Sequence, residues 1–163
     1  MSARNRKLTR LKGYDYSRAG FYFVTVCTKN RVEWFGNIAD GKMILNDHGN
    51  IVVQCWHDLV NHYKNVRLDE FMVMPDHVHG IIIIQNNVGN GLKPFPTDGV
   101  KSHELPEIVR GFKTFSSRRI NEQSFPKFQW QKSFYDRIIR NERDLNRIRK
   151  YIQDNPGRIG FHS

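Results

Sequence analysis

Three features of the sequence predict an α+β fold. Runs rich in β-branched and aromatic residues, which favour strands, occur at Phe21–Thr28, Phe71–Met74, Val78–Ile84 and Phe128–Ile139. Between the first and second runs, and between the third and fourth, the apolar period lengthens to that of a helix, over Asn46–Tyr63 and Leu105–Asn121. A last amphipathic stretch follows Asn141. The order strand, helix, strand, strand, helix, strand is that of the ferredoxin-like split βαβ sandwich, here with an accessory β-hairpin and an appended C-terminal helix. In that arrangement the first and third main strands are central. With 163 residues and no internal repeat, one domain spanning 1–163 is expected.

Residues 1–20 carry Arg4, Arg6, Lys7, Arg10, Lys12 and Arg18 among few apolar positions, and read as a basic N-terminal arm, either solvated or tracking phosphates. Phe21–Thr28 is the first strand. Val32–Ile38 and Lys42–Leu45 flank Asp40-Gly41, a hairpin turn signal, and form the accessory hairpin. In the first helix Val52, Trp56, Leu59, Val60 and Tyr63 share a face, which leaves His57 and His62 on the surface without an evident partner.

Phe71–Met74 and Val78–Ile84 are joined by a tight turn at Pro75-Asp76, and four consecutive isoleucines imply a strand buried on both faces. Residues 86–103 collect Asn, Gly and Pro without a period and read as a mobile loop. The second helix takes Pro106 in its first turn, where a missing N–H costs nothing. It buries Leu105, Ile108, Val109, Phe112 and Phe115, with Arg110, Lys113, Arg118 and Arg119 along its other flanks. Asn141 is the expected N-cap of the last helix, with Glu142 and Asp144 in its first turn. Leu145, Ile148 and Ile152 form its buried face, and Pro156-Gly157 is expected to end it.

The charge balance narrows the partners. Lys and Arg number 26 against 16 Asp and Glu, a formal charge of +10, and a domain so basic most often meets a polyanion, nucleic acid being the commonest. Cys27 and Cys55 are too few for a disulfide framework and fit a reduced cytosol. No apolar run reaches transmembrane length, so a soluble cytoplasmic protein with no membrane partner is expected.

Chemistry concentrates at two places. His77 and His79 are two apart on one strand, so both imidazoles point to the same face while Val78 points into the other layer. Two satisfied core histidines would need two sets of hydrogen-bond partners; an outward-facing pair of metal ligands is the better reading. Tyr151 and Asn155 are four apart on the last helix, beside its apolar stripe. Singly they read as a core-rim aromatic and a helix-ending residue before proline. Together, on a helix packed on the sheet, they can face the histidines, the hydroxyl as nucleophile and the amide oxygen completing a metal shell.

Met74-Pro-Asp-His77-Val-His79-Gly80 followed by isoleucines resembles the His-hydrophobe-His motif of the HUH single-tyrosine transposases, and Ile148-Arg-Lys-Tyr151-Ile-Gln-Asp-Asn155-Pro156 resembles their catalytic-tyrosine helix. Tyr22-Phe-Val-Thr25 and Trp130-Gln-Lys-Ser-Phe-Tyr-Asp136 point to the branch associated with repetitive extragenic palindromes (REP), and the resemblance runs from about Lys12 to Asn155. It implies that His77, His79 and Asn155 bind a divalent cation, Mg²⁺ or Mn²⁺, and that Tyr151 attacks single-stranded DNA beside a hairpin or palindrome, becoming joined to a 5′ phosphate. Related insertion-sequence transposases carry glutamine where this chain has Asn155, one methylene shorter, so a bridging water is an alternative to direct ligation. The expected DNA contacts are Arg10, Lys12, Arg110, Lys113, Arg118, Arg119 and Arg137, with nucleoid association to match.

Three other readings compete. A relaxase or replication initiator of the HUH class usually carries further domains. A ferredoxin-like RNA binder would display an RNP-type aromatic pattern that Phe21–Thr28 and Val78–Ile84 lack. A domesticated palindrome-binding protein would keep the same groups without cleaving. Sequence leaves open whether the protein is a monomer or a homodimer, with its tyrosine in cis or in trans.

Overall fold

The computed structural model describes residues 13–85 and 103–159. Four strands, β1 (Gly20–Cys27), β4 (Val66–Met74), β5 (His77–Ile84) and β6 (Tyr135–Ile139), form one antiparallel sheet in the order β4-β5-β1-β6. The strand with four isoleucines and the first strand are therefore central, as the split βαβ order requires. A separate hairpin pairs β2 (Gly36–Ala39) with β3 (Lys42–Leu45). Its turn places Asp40 and Gly41 at φ 53° and 73°, the left-handed pair that a tight hairpin turn needs.

Alternation along the strands sorts the core into two layers. Tyr22, Val24, Val26, Val78, Ile82 and Ile84 pack against α1 (Asp47–His57) and α3 (Leu105–Asn121). On the opposite face Phe21, Phe23, Ile81 and Ile139 pack against Ile148 and Ile152 of α4 (Glu142–Ile159). Burying two such isoleucines stabilises helix docking by about 1.5–3 kcal/mol each. Gly80 lets α1 approach the central strand, because a Cβ there would lie 2.6 Å from the Trp56 ring, which stacks on Phe71 at 4.4 Å.

The expected N-cap Asn141 accepts from Asp144 N, and Asn46 caps α1 in the same way, accepting from Gly49 N. Five elements differ from expectation, the first being the hairpin's leading strand, which begins at Gly36 and not at Val32. The first helix breaks at Asp58, leaving α2 as the short turn Leu59–His62, because the Asp58 carboxylate takes the Asn61 amide and the His62 ring. His62 is thus not partnerless; its ring also stacks on Phe115 at 4.2 Å. The last strand begins only at Tyr135: Phe128, Trp130 and Phe134 turn inward to the core, and Lys113 Nζ donates to the carbonyls of Gln131, Lys132 and Ser133. α4 continues through Pro156 to Ile159, since Pro156 is buried and the hairpin turn at Gly41 reaches Gly157. The second main strand starts at Val66, earlier than Phe71, and carries a bulge between Leu68 and Phe71.

Of the expected basic arm, residues 13–20 are described, and they fold back onto the core: Tyr16 is buried and Tyr14 OH lies 3.2 Å from Tyr22 OH. Arg4, Arg6, Lys7, Arg10 and Lys12 lie outside the described residues, as does the loop at 86–102.

Candidate active site

The Pro75-Asp76 turn delivers the histidines, and three donors pin it: Phe35 N bonds Pro75 O, while Thr28 N and Thr28 Oγ1 bond Asp76 O. From this turn β5 projects His77 and His79 onto the α4 face, with ring centroids 4.9 Å apart. Their register partners on β1 are Cys27 and Thr25.

The expectation of outward-facing histidines needs correction, because both are buried and Tyr151 of α4 lies against His79. His77 is 9% exposed and His79 only 2%. Burial, reinforced by the neighbouring His77, pushes the His79 pKa down to about 3, against an opposing pull from the Asn155 side chain. The ring is therefore neutral at ordinary pH, the form that ligates metals.

Tyr151 reaches the pair from α4. Its ring stands edge-on to His79 at 5.6 Å and to Phe23 at 6.2 Å, and it remains 41% exposed. Asn155, one turn on, is buried, and its amide is close enough to bias the titration of His79. It does not bond His79 Nε2, which is buried without a hydrogen-bond partner among the described residues. The two histidines, Tyr151 and Asn155 thus converge within one chain.

Asp76 sits behind His77. Its Oδ1 lies 2.7 Å from His77 Nδ1, and its Oδ2 accepts from Arg31 Nε at 3.0 Å. Partial burial alone would raise the Asp76 pKa, but the bonds from His77 and Arg31 hold it below the ordinary carboxylate value. A carboxylate on Nδ1 fixes the ring and turns Nε2 toward any ligand. Asn30 and Arg31 both take left-handed backbone conformations, φ 58° and 56°, just after β1, which brings the guanidinium to Asp76. Arg31 and Phe23 were not legible as site residues, since neither has a spacing that marks it.

No group of three or more His, Cys, Asp or Glu residues among the described residues is arranged to hold a metal ion. What is present is two imidazoles and an amide. The orphaned Nε2 of His79, and a His77 whose Nδ1 is already occupied, fit a divalent cation completed by Asn155 or by water.

The expected DNA contacts divide. Arg110 and Arg118 are exposed on α3. Lys113 is held by three carbonyls, Arg119 Nη2 donates to Gln54 Oε1 at 2.7 Å, and exposed Arg137 donates to Asp144 at 2.7 Å. Among the described residues no helix is long and apolar enough to cross a membrane.

No protein-family model matches the chain. An uncharacterised protein of Haemophilus influenzae is 42% identical, over 93% of this chain and 88% of its own length. A second protein of that organism, named as a candidate REP-associated tyrosine transposase, is 24% identical over 90% of this chain and 76% of its own. In fold, the chain is similar to a REP-associated tyrosine transposase solved with a REP hairpin bound, with a TM-score of 0.64, 18% identity, and coverage of 94% of this chain and 75% of that one. A candidate transposase of Deinococcus radiodurans gives a TM-score of 0.51 at 19% identity, covering 90% and 97%. Over nine-tenths of its length the chain is thus similar in sequence to a REP-associated tyrosine transposase, and it shares the fold of another.

Proposed function

We propose that this protein cuts and rejoins single-stranded DNA beside a hairpin, through a covalent link between Tyr151 and a 5′ phosphate. The observation that carries this reading is the edge-on approach of the Tyr151 ring to His79, 5.6 Å between centroids, within one chain. A half-exposed phenol beside two buried imidazoles serves phosphoryl transfer better than it serves packing.

In the cleavage step Tyr151 Oη forms a bond to phosphorus and loses its proton. The bond from phosphorus to O3′ breaks, and the leaving oxygen takes up a proton as a free 3′-OH. One phosphoester replaces another, so rejoining by the reverse attack needs no nucleotide cofactor. An ordinary tyrosine has a pKa near 10, which makes local positive charge necessary. His77, His79 and Asn155 would hold Mg²⁺ or Mn²⁺, which when bound withdraws charge from the scissile phosphate and orients it.

Arg110 and Arg118 on α3 and Arg137 on β6 supply phosphate contacts, with Arg10 and Lys12 added from the N-terminal stretch. The bound hairpin of the structural relative supports a hairpin substrate here. The approach of Tyr151 to a histidine of its own chain supports a reaction in cis.

The test mixes the protein with labelled hairpin oligonucleotides carrying unpaired flanks, in Mg²⁺ or Mn²⁺, on a denaturing gel. Wild type should give a shifted covalent adduct and Tyr151→Phe none. An adduct formed equally by Tyr151→Phe would refute the assignment.

A further inference from the structure

Away from the histidines, the second half of α3 and the irregular segment 122–132 enclose a groove of about 740 Å³. Its walls are rigidly tied. Asn121 Oδ1 accepts from Phe128 N at 2.6 Å while its Nδ2 donates to Phe128 O at 3.1 Å. Trp130 Nε1 donates to Ser116 Oγ at 3.0 Å, and the Lys113 ammonium clamps the carbonyls of 131–133. A groove so braced keeps its shape without a ligand, which lowers the ordering cost of binding.

The lining has a strong charge bias. Arg118, Lys127 and Lys132 are exposed cations, joined by the clamped Lys113, against a single carboxylate, Glu122. Phe125, on the turn between Glu122 and Lys127, is 96% exposed, the largest exposure among the large hydrophobic side chains described. Solvent disfavours a bare aromatic ring, and two residues on, Lys127 lines the groove. A basic groove with an open aromatic face beside it is the pairing that holds unpaired nucleic acid: cations follow the backbone while a base stacks on the ring. A duplex stem hides its base faces in its own stack and leaves such a ring nothing to cover it.

The groove adjoins the reactive site through the backbone. Gln131 N donates to Cys27 O at 2.8 Å and Lys29 N to Gln129 O at 3.0 Å. Its wall is thus hydrogen-bonded to the end of β1, where Cys27 lies opposite His77.

We propose that this groove binds the unpaired DNA segment adjoining the hairpin, with Phe125 stacking on a base and Arg118, Lys127 and Lys132 contacting phosphates. The proposal rests on the single-stranded DNA reading above and assigns that strand a second seat, outside the histidine and tyrosine site.

The test is fluorescence anisotropy in EDTA, so that binding is read without cleavage. The probes are a bare hairpin, the same hairpin with an unpaired extension on its 5′ or its 3′ side, and an unpaired oligonucleotide. The variants are Phe125→Ala, Phe125→Trp and Lys127→Ala/Lys132→Ala, all at exposed positions that leave the core intact. Phe125→Ala should weaken binding about tenfold on an extended hairpin and on the unpaired probe, with Phe125→Trp restoring it, and leave the bare hairpin unchanged. The double lysine variant should flatten the log-affinity against log-salt slope on those probes by roughly 1.4, about 0.7 for each lost contact. Equal losses on the bare hairpin would assign the groove to the stem and overturn the proposal, as would unchanged affinity on every probe. Wild type failing to bind any probe would instead sink the proposed function itself.

Discussion

Arg149 on α4 grips Asp69 on β4 through two parallel hydrogen bonds, each 2.8 Å long. Asp69 stands in the bulge between Leu68 and Phe71, where the strand's register against β5 slips. The bond from Arg149 holds its carboxyl below the ordinary carboxylate value, outweighing the opposing effect of burial. Tyr151 follows Arg149 by two residues, so this pair sets the roll of the helix that presents the hydroxyl.

Asp69→Ala and Arg149→Ala should each cost about 1 kcal/mol of stability, and the double variant little more than either alone. Amide hydrogen exchange should quicken along α4 while β5 stays protected. Additive losses in the double-mutant cycle would show that the pair contributes nothing to docking.

Replacing the histidines should have unequal structural effects. His79 is nearly inaccessible and packs against Phe23 and Tyr151, with ring distances of 5.8 and 5.6 Å. His79→Ala should therefore destabilise by about 1–3 kcal/mol, whereas an outward-facing ligand would leave stability unchanged. Both His77→Ala and His79→Ala should abolish Mn²⁺ binding in calorimetry. Retention of Mn²⁺ binding by the double variant would end the metal assignment.

The pH dependence of folding follows from His79. Its pKa falls from an ordinary 6.5 to about 3 in the fold, so the unfolded chain binds the extra proton between those values. The stabilisation is complete above about pH 6.5 and is lost progressively as pH falls toward 3. Urea midpoints of the metal-free protein should drop between pH 6.5 and 4.5, and His79→Gln should flatten that drop. Asp69, Asp76 and Asp144, whose pKa values lie below the carboxylate norm, add their own losses only at lower pH.

Tyr135 tests the choice of nucleophile. It pairs with Thr25, which in turn lies opposite His79, so it occupies the same sheet face two strands from that ring, and it is 43% exposed. Tyr135→Phe should still form the covalent adduct. Loss of the adduct in Tyr135→Phe, with retention in Tyr151→Phe, would move the reactive group to β6.

Two cations on α3 should behave oppositely. Lys113→Ala should lower stability, since three carbonyls lose their donor, and should change the salt dependence of DNA binding little. Arg118→Ala should leave thermal unfolding unchanged and flatten the salt slope by roughly 0.7. Reversed results would exchange their roles.

Local pattern carried much of this protein. Alternation placed His77 and His79 on one face, helical spacing put Tyr151 and Asn155 one turn apart, and the order of strands and helices set the sheet, because these depend on neighbours along the chain. Element ends and the surroundings of the site depended on contacts distant in sequence. Lys113 ties down the irregular segment before β6, and the hairpin turn at Gly41 lies close to Gly157, where α4 runs on past Pro156. Likewise Arg31 reaches Asp76 across 45 residues and Arg149 reaches Asp69 across 80. Such pairs leave no period to read. The depth of His79 was decided the same way: sequence chose the face of the strand, but only the docking of α4 determined that this face would be dry, and burial is what keeps the imidazole neutral.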